Sequence, residues 1–316
     1  MTLCLVTGGA GFIGSSLCRA LVGRGDRVRV IDNFSSGKRE NLADLLDRAD
    51  PIELIEGDIL DDRALGKAIE GVELVFHLAA IPSVPKSMAE PIENHAANAT
   101  GTLRVLERGR RAGIRRLVYS ASSAAYGDDP ALPKVETMPP APISPYGGSK
   151  LAGEQYAQIY ARGYGLETVC LRYFNVFGPR QDPASEYAAV IPKFITAALA
   201  GKQPRIFGDG SQSRDFCYID NVVEANFKAA AAAASAVSGG MFNIACGQAT
   251  DLNRVVALIG DHLGKKLAAI YEDERAGDIK HSWADISAAR ARLGYTAAVS
   301  FAEGLGRTID WYKSKG

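Results

Sequence analysis

Leu3-Cys4-Leu5-Val6-Thr7-Gly8-Gly9-Ala10-Gly11-Phe12-Ile13-Gly14 is the stretch that decides the fold. A short apolar run suited to a buried strand leads into three glycines at Gly-x-x-Gly-x-x-Gly spacing, and a helical stretch follows. Glycine at those positions permits a tight turn, lets backbone approach a pyrophosphate, and allows strand and helix to pack closely. The opening turn of the helix offers N–H donors and positive partial charge to phosphate oxygens. Further on, the strand Val28 to Ile31 ends in Asp32, eighteen residues beyond Gly14, where a carboxylate can accept hydrogen bonds from a ribose. A 2′-phosphate would meet like charge there, so NAD is expected rather than NADP, with a flavin dinucleotide as the alternative.

Outward from this turn, apolar β-rich runs alternate with helical stretches: Leu3 to Thr7, Val28 to Asp32, Ile52 to Gly57, Leu74 to Leu78, Leu117 to Ser120 and Thr168 to Tyr173. Alternation of this kind predicts an α/β fold: a doubly wound parallel sheet of Rossmann type, covered on both faces, with ligand across the carboxyl ends of its strands. Residues 1–175 form the expected nucleotide-binding domain, with a return segment at 217–236. Residues 176–316 are mostly a smaller α/β substrate-binding domain. The alanines Ala229 to Ala234 read as the continuation of a helix from Asn221 that stops at Gly239-Gly240. The basic run Arg108 to Arg116 reads as the solvated end of a helix before the strand at Leu117.

The 316-residue chain is 47% hydrophobic and carries zero formal charge, the composition of a folded protein without a global field for nucleic acid or an anionic membrane. Five scattered cysteines predict free thiols in a reducing compartment, and four separated histidines lack metal-ligand spacing. No apolar run approaches the roughly 18 residues of a membrane span. A cytoplasmic protein is expected.

Tyr146-Gly147-Gly148-Ser149-Lys150 places Tyr and Lys on one face of a helix beginning near Ser144-Pro145. Twelve tyrosines among 316 residues make such a spacing a chance event about half the time, so context must carry the reading. Upstream, the strand Leu117 to Tyr119 delivers Ser120, Ser122 and Ser123 to the same edge of the sheet. A phenol ionises near pH 10, and making it a base near neutrality takes about 4 kcal/mol of electrostatic help. Lys150 and an oxidised nicotinamide would supply it.

With these motifs in place, the chain resembles the extended short-chain dehydrogenase/reductases, specifically the nucleotide-sugar 4-epimerases, along essentially its whole length. The matching residues are Thr7 to Gly14, Asp58 with Ile59, His77 to Ala80, Asn98, Ser122 with Tyr146 and Lys150, Arg172 to Asn175, Arg214-Asp215, and Arg275 with Asp278. Asn175-Val176-Phe177-Gly178-Pro179-Arg180-Gln181-Asp182-Pro183 and Arg214 to Ile219 look closest to bacterial UDP-N-acetylglucosamine/galactosamine 4-epimerases.

The resemblance implies that Tyr146 removes the sugar 4-hydroxyl proton, Ser122 relays it, and Lys150 binds the nicotinamide ribose and lowers the Tyr146 pKa. The NAD site it implies comprises Gly8, Gly11, Phe12, Ile13, Gly14, Asp32, Asn33, Ser36, Gly37, Asp58, Ile59, Leu78, Ala79, Ala80, Asn98, Ser120, Tyr146, Lys150 and Tyr173. For the UDP-sugar it implies Ser83, Ser122, Ser123, Tyr146, Asn175, Ala189, Val190, Lys193, Phe207, Arg214, Arg275, Asp278 and Ser282, the two arginines facing the diphosphate.

Ser282, small where glucose-restricted members carry tyrosine, leaves room for a 2-acetamido group. Pro82 and Ala124 depart from the Gly and Ser of the N-acetyl-specific members, so activity on both UDP-N-acetylhexosamine and UDP-hexose is expected. A uronate epimerase or decarboxylase is the competing reading. A 4,6-dehydratase is disfavoured by Ser123-Ala124 where dehydratases resemble Asp-Glu, and a silent NAD-sensing protein by the presence of both Tyr146 and Lys150. A homodimer through helices around Pro91 to Gly109 and Ser149 to Gly163 is also implied.

Overall fold

Alternating burial along the first strand sets the architecture: Cys4 and Val6 enter one hydrophobic core and Leu5 the other, on opposite faces of one sheet. The computed structural model describes residues 1–47, 52–183, 189–274 and 280–315. β1 (Leu3–Thr7), β2 (Arg27–Asp32), β3 (Glu53–Glu56), β4 (Leu74–His77), β5 (Arg116–Ser122) and β6 (Glu167–Tyr173) lie where the sequence places strands, within one or two residues. A further strand, Gly240–Ile244, pairs in parallel with β6. The order across the sheet is Gly240–Ile244, β6, β5, β4, β1, β2, β3, with every pairing parallel.

The chain leaves β1 toward β2 and β3, then crosses back to β4 on the other side. That reversal opens a crevice at the carboxyl ends of β1 and β4. Helices Phe12–Gly23 and Ile219–Ala231 contribute Leu17 and Val222 to one core, and helices Asp62–Ile69, Gly101–Ala112 and Pro145–Tyr164 contribute Leu65, Val105 and Ala157 to the other. The sheet therefore draws on residues beyond 236. After β6 the chain forms short paired strands, Ser213–Arg214 between Thr250–Asp251 and His281–Ser282, and Ile270–Glu272 beside Arg205–Phe207. Among the described residues, no helix is long and apolar enough to cross a membrane.

Two expectations are corrected. The alanine run is not one helix: Ile219–Ala231 ends there, Ala232 is extended (φ −60°, ψ 151°), and a short turn of helix spans Ala234–Val237. Nor does Arg116 belong to a solvated helix end. It stands in β5, 2% exposed, and its Nη1 donates to the carbonyl oxygens of Ala229 (2.8 Å), Ala230 (3.0 Å) and Ala232 (2.7 Å). A buried cation at those last carbonyls satisfies acceptors the helix cannot pair and favours termination there. Glu167 balances its charge at 2.6 Å. Arg110 and Arg111 do lie at the end of Gly101–Ala112, paired with Glu107.

Candidate active site

A cleft of about 1000 Å³ follows the carboxyl edge of the sheet, from the glycine turn past Ser122, Tyr146 and Lys150 to Asn175 and Ala189. Its floor depends on the missing side chains. Gly8 has φ +68°, and a Cβ there would stand 2.8 Å from the Ala79 backbone; one on Gly14 would stand 2.2 Å from the Gly8 oxygen. The first helix has neither a side-chain cap nor an acidic residue in its opening turn, so its N–H groups face the cleft as an anion site. These features fit a dinucleotide pyrophosphate.

Asp32 ends β2, buried, with Oδ2 accepting from Ala10 N (2.9 Å) and Oδ1 from Phe34 N (2.8 Å). Burial raises its pKa, and the two backbone donors oppose that. Asn33 donates to Asp58 at 2.7 Å, and both line the cleft with Ser36, Gly37 and Ile59. On the other wall, the Thr7 hydroxyl accepts from Leu78 N and Ala79 N, both at 3.1 Å, and meets His77 Nδ1 at 2.7 Å. Burial drives the His77 pKa down to about 3, leaving a neutral structural ring.

The side chains expected to handle the proton come from two elements. Pro145–Tyr164 starts where Ser144 accepts from Gly147 N at 3.1 Å with Pro145 in the first turn, and the helical spacing then turns Tyr146 and Lys150 into the cleft. Ser122, the last residue of β5, lines the cleft with Tyr146, its hydroxyl close enough to act on the phenol. Burial holds the Tyr146 phenol above its ordinary pKa, with Ser122 pulling the other way. The Lys150 ammonium lies 4.6 Å over the Tyr119 ring, and burial brings its pKa down to about 7.

That shift has a sign. The folded pKa lies below the ordinary value of 10.5, so between pH 7 and 10.5 the unfolded chain holds more protons and stability rises with pH. Lys150→Met should therefore stabilise the cofactor-free protein on the order of 4 kcal/mol at pH 7, with the gain fading toward pH 10. Thermal melts across that range measure it; a pH-independent or negative change would refute the assignment.

The cleft brings together every expected cofactor residue except Asn98, together with Ser122, Ser123, Tyr146, Asn175 and Ala189 from the substrate set. Asn98 is buried behind the wall in a π-helical turn, Ala96–Thr100, where it accepts from Ile81 N (2.7 Å) and donates to Ile81 O (3.2 Å) and Ser149 Oγ (3.1 Å). Ser83 caps the helix Val84–Ala89 instead of lining the cleft. Val190, Lys193, Phe207, Arg214 and Ser282 do not line it either. Arg214 and Ser282 are register partners in neighbouring strands, and Arg214 Nη1 donates to the carbonyls of Ser213 (3.0 Å) and Lys280 (3.1 Å). Arg275 and Asp278 lie outside the described residues.

Sequence reasoning left Asp215 without a role. Its buried carboxylate gathers the N–H groups of Cys246 (2.8 Å), Gly247 (2.9 Å), Gln248 (3.2 Å) and Ala284 (3.4 Å), while its carbonyl accepts from Asn175 Nδ2 at 3.2 Å. Burial raises its pKa to about 6. Lys38, Glu93, Gln181 and Asp182 also line the cleft from loops and helix edges that show no periodic signal.

Fold and site together define an extended short-chain dehydrogenase/reductase. The model of the NAD dependent epimerase/dehydratase family matches residues 4–245. A UDP-glucose 4-epimerase of Mycolicibacterium smegmatis is 39% identical over 98% of each chain. The structure of UDP-N-acetylglucosamine 4-epimerase from Methanobrevibacter ruminantium M1 in complex with UDP-N-acetylmuramic acid aligns at a TM-score of 0.93 and 41% identity, covering 100% of this chain and 99% of the other. That of UDP-glucuronic acid 4-epimerase from Bacillus cereus with UDP-glucuronic acid and NAD aligns at 0.91 and 32%, covering 100% of both. The chain belongs to the NAD dependent epimerase/dehydratase family, and NAD is its cofactor.

Proposed function

We propose that the protein is a UDP-sugar 4-epimerase acting on UDP-N-acetylhexosamine and UDP-hexose. The observation that carries this reading is the convergence of Ser122, Tyr146 and Lys150 on the cleft that begins at the Gly8, Gly11 and Gly14 turn. The epimerase names of the relatives support it. Asp32 and Asn33 would hold the adenosine ribose, Asp58 and Ile59 the adenine, the first helix the pyrophosphate, and Tyr173 and Lys150 the nicotinamide end. NAD, when bound, supplies the acceptor and donor of the C4 hydride.

The chain's own work is proton handling and grip. Tyr146, half-buried beside Ser122 in the cleft, takes the 4-hydroxyl proton and later returns it. The Lys150 cation lowers the cost of a phenolate in that dry setting. Asn175, Arg214 and Arg275 would grip the diphosphate, so that the sugar can turn and present its other face without leaving, binding energy remote from the reaction being used for positioning. The neighbouring strands of Arg214 and Ser282 would set the diphosphate grip beside the space for the C2 substituent.

Residues 176–316 would then be mostly the UDP-sugar domain. Exposed Ile92 and Ile159 lie on the helices around Pro91 to Gly109 and Ser149 to Gly163 through which a homodimer would form. NMR of reaction mixtures with UDP-GlcNAc, UDP-glucose and UDP-glucuronate tests the reading: C4 inversion of the first two is expected. Turnover of UDP-glucose alone would refute the argument from Ser282, and turnover of UDP-glucuronate alone would make the protein a uronate enzyme.

A further inference from the structure

One turn beyond Lys150, the same helix carries Glu154, buried like its partner Arg172 on β6. Tyr146, Lys150 and Glu154 are spaced four apart, on one side of the helix. Glu154 Oε2 accepts from Arg172 Nε at 2.8 Å and Oε1 from Nη2 at 2.7 Å, a two-bond fork. The guanidinium lies 4.5 Å over the Tyr126 ring, in the turn that follows Ser122, and the Tyr126 hydroxyl donates to Asn243 Oδ1 at 2.7 Å in the strand Gly240–Ile244. One planar cation thus touches the helix of Tyr146 and Lys150 and the turn leaving Ser122, from a strand that pairs with Ser122 itself.

Stability is a poor explanation for the pair. Two charges withdrawn from water rarely improve on apolar residues of equal volume, and Arg172 Nη1 is buried without a hydrogen-bond partner among the described residues, a further cost. What the fork supplies and apolar packing does not is direction: two parallel hydrogen bonds fix both the rotation and the axial position of the helix against the sheet. We propose that Glu154 and Arg172 are positioning residues that set Tyr146 and Lys150 against Ser122. The proposal rests on the epimerase reading, since it assigns the pair to that proton transfer.

The test uses NAD-loaded enzyme. Arg172→Lys keeps a cation beside Glu154, and hence a folded chain, but loses the fork. Its kcat should fall about tenfold to a hundredfold with KM for the UDP-sugar unchanged, and the acid limb of its kcat against pH profile should move to higher pH. Glu154→Leu combined with Arg172→Met should melt at or above wild type while kcat stays equally low. Wild-type kcat and pH profile in Arg172→Lys, or wild-type kcat in the apolar pair, would overturn the proposal and leave the residues merely structural. Absence of UDP-sugar turnover in the wild-type enzyme would instead overturn the epimerase reading itself.

Discussion

Tyr146→Phe should lower kcat about 10³-fold while NAD stays bound and the UDP-sugar KM changes little. Only one oxygen is removed, from a half-buried side chain that shares the cleft wall with Ser122, so the ring still fills its place beside the cleft. What is lost is the group proposed to take and return the C4 proton. Turnover should therefore fail while the cleft remains folded. Cofactor content is read from the absorbance of released NAD, and kcat from NMR of the product. Near-wild-type kcat would remove Tyr146 from the chemistry. Loss of bound NAD along with activity would make its role structural.

The second large effect is expected at Gly14→Val. Its Cβ would lie 2.2 Å from the Gly8 oxygen and 2.8 Å from Gly9 Cα, both backbone atoms that no side-chain rotation can move aside. The turn must open, at a cost of about 3 kcal/mol, and the N–H cradle for the pyrophosphate opens with it. The variant should purify without NAD and melt about 5 °C or more below wild type. Gly66→Ala is the contrast, in the middle of the helix Asp62–Ile69, where an added Cβ meets nothing within 4 Å. It should raise stability by about 0.5–1 kcal/mol and leave NAD in place. A Gly14→Val enzyme that retains NAD would show that the turn does not approach the cofactor.

Local signals account for what was legible along the chain. β1 to β6 announce themselves because strands buried on both faces must be apolar throughout, and the long helix because Ser144 and Pro145 satisfy its start within a few residues. The glycine turn is legible for the same reason: its constraint is steric and lies within a dozen residues.

The misreadings involve partners distant in sequence. Nothing in Ala229 to Ala234 foretells a helix end, because the guanidinium that ends it belongs to Arg116, more than a hundred positions earlier. Gly239-Gly240 reads as a stop, yet the strand Gly240–Ile244 starts there because β6 has a free edge to cover. Asn98, by contrast, is no misreading: it matches a cofactor motif, and its side chain holds Ile81 and Ser149 from the π-helical turn behind the cleft.

By itself the sequence determined the doubly wound sheet, the dinucleotide turn and the Tyr146 and Lys150 pair, since each depends on contacts within a few turns of chain. Only the tertiary structure decided that Ser122 and Tyr146 share one cleft, that Asp215 gathers four backbone N–H groups near Asn175, and that Arg172 forks onto Glu154 of the helix that carries Tyr146 and Lys150. Those groups lie on separate strands, helices and loops, and only the packing of the sheet brings them together.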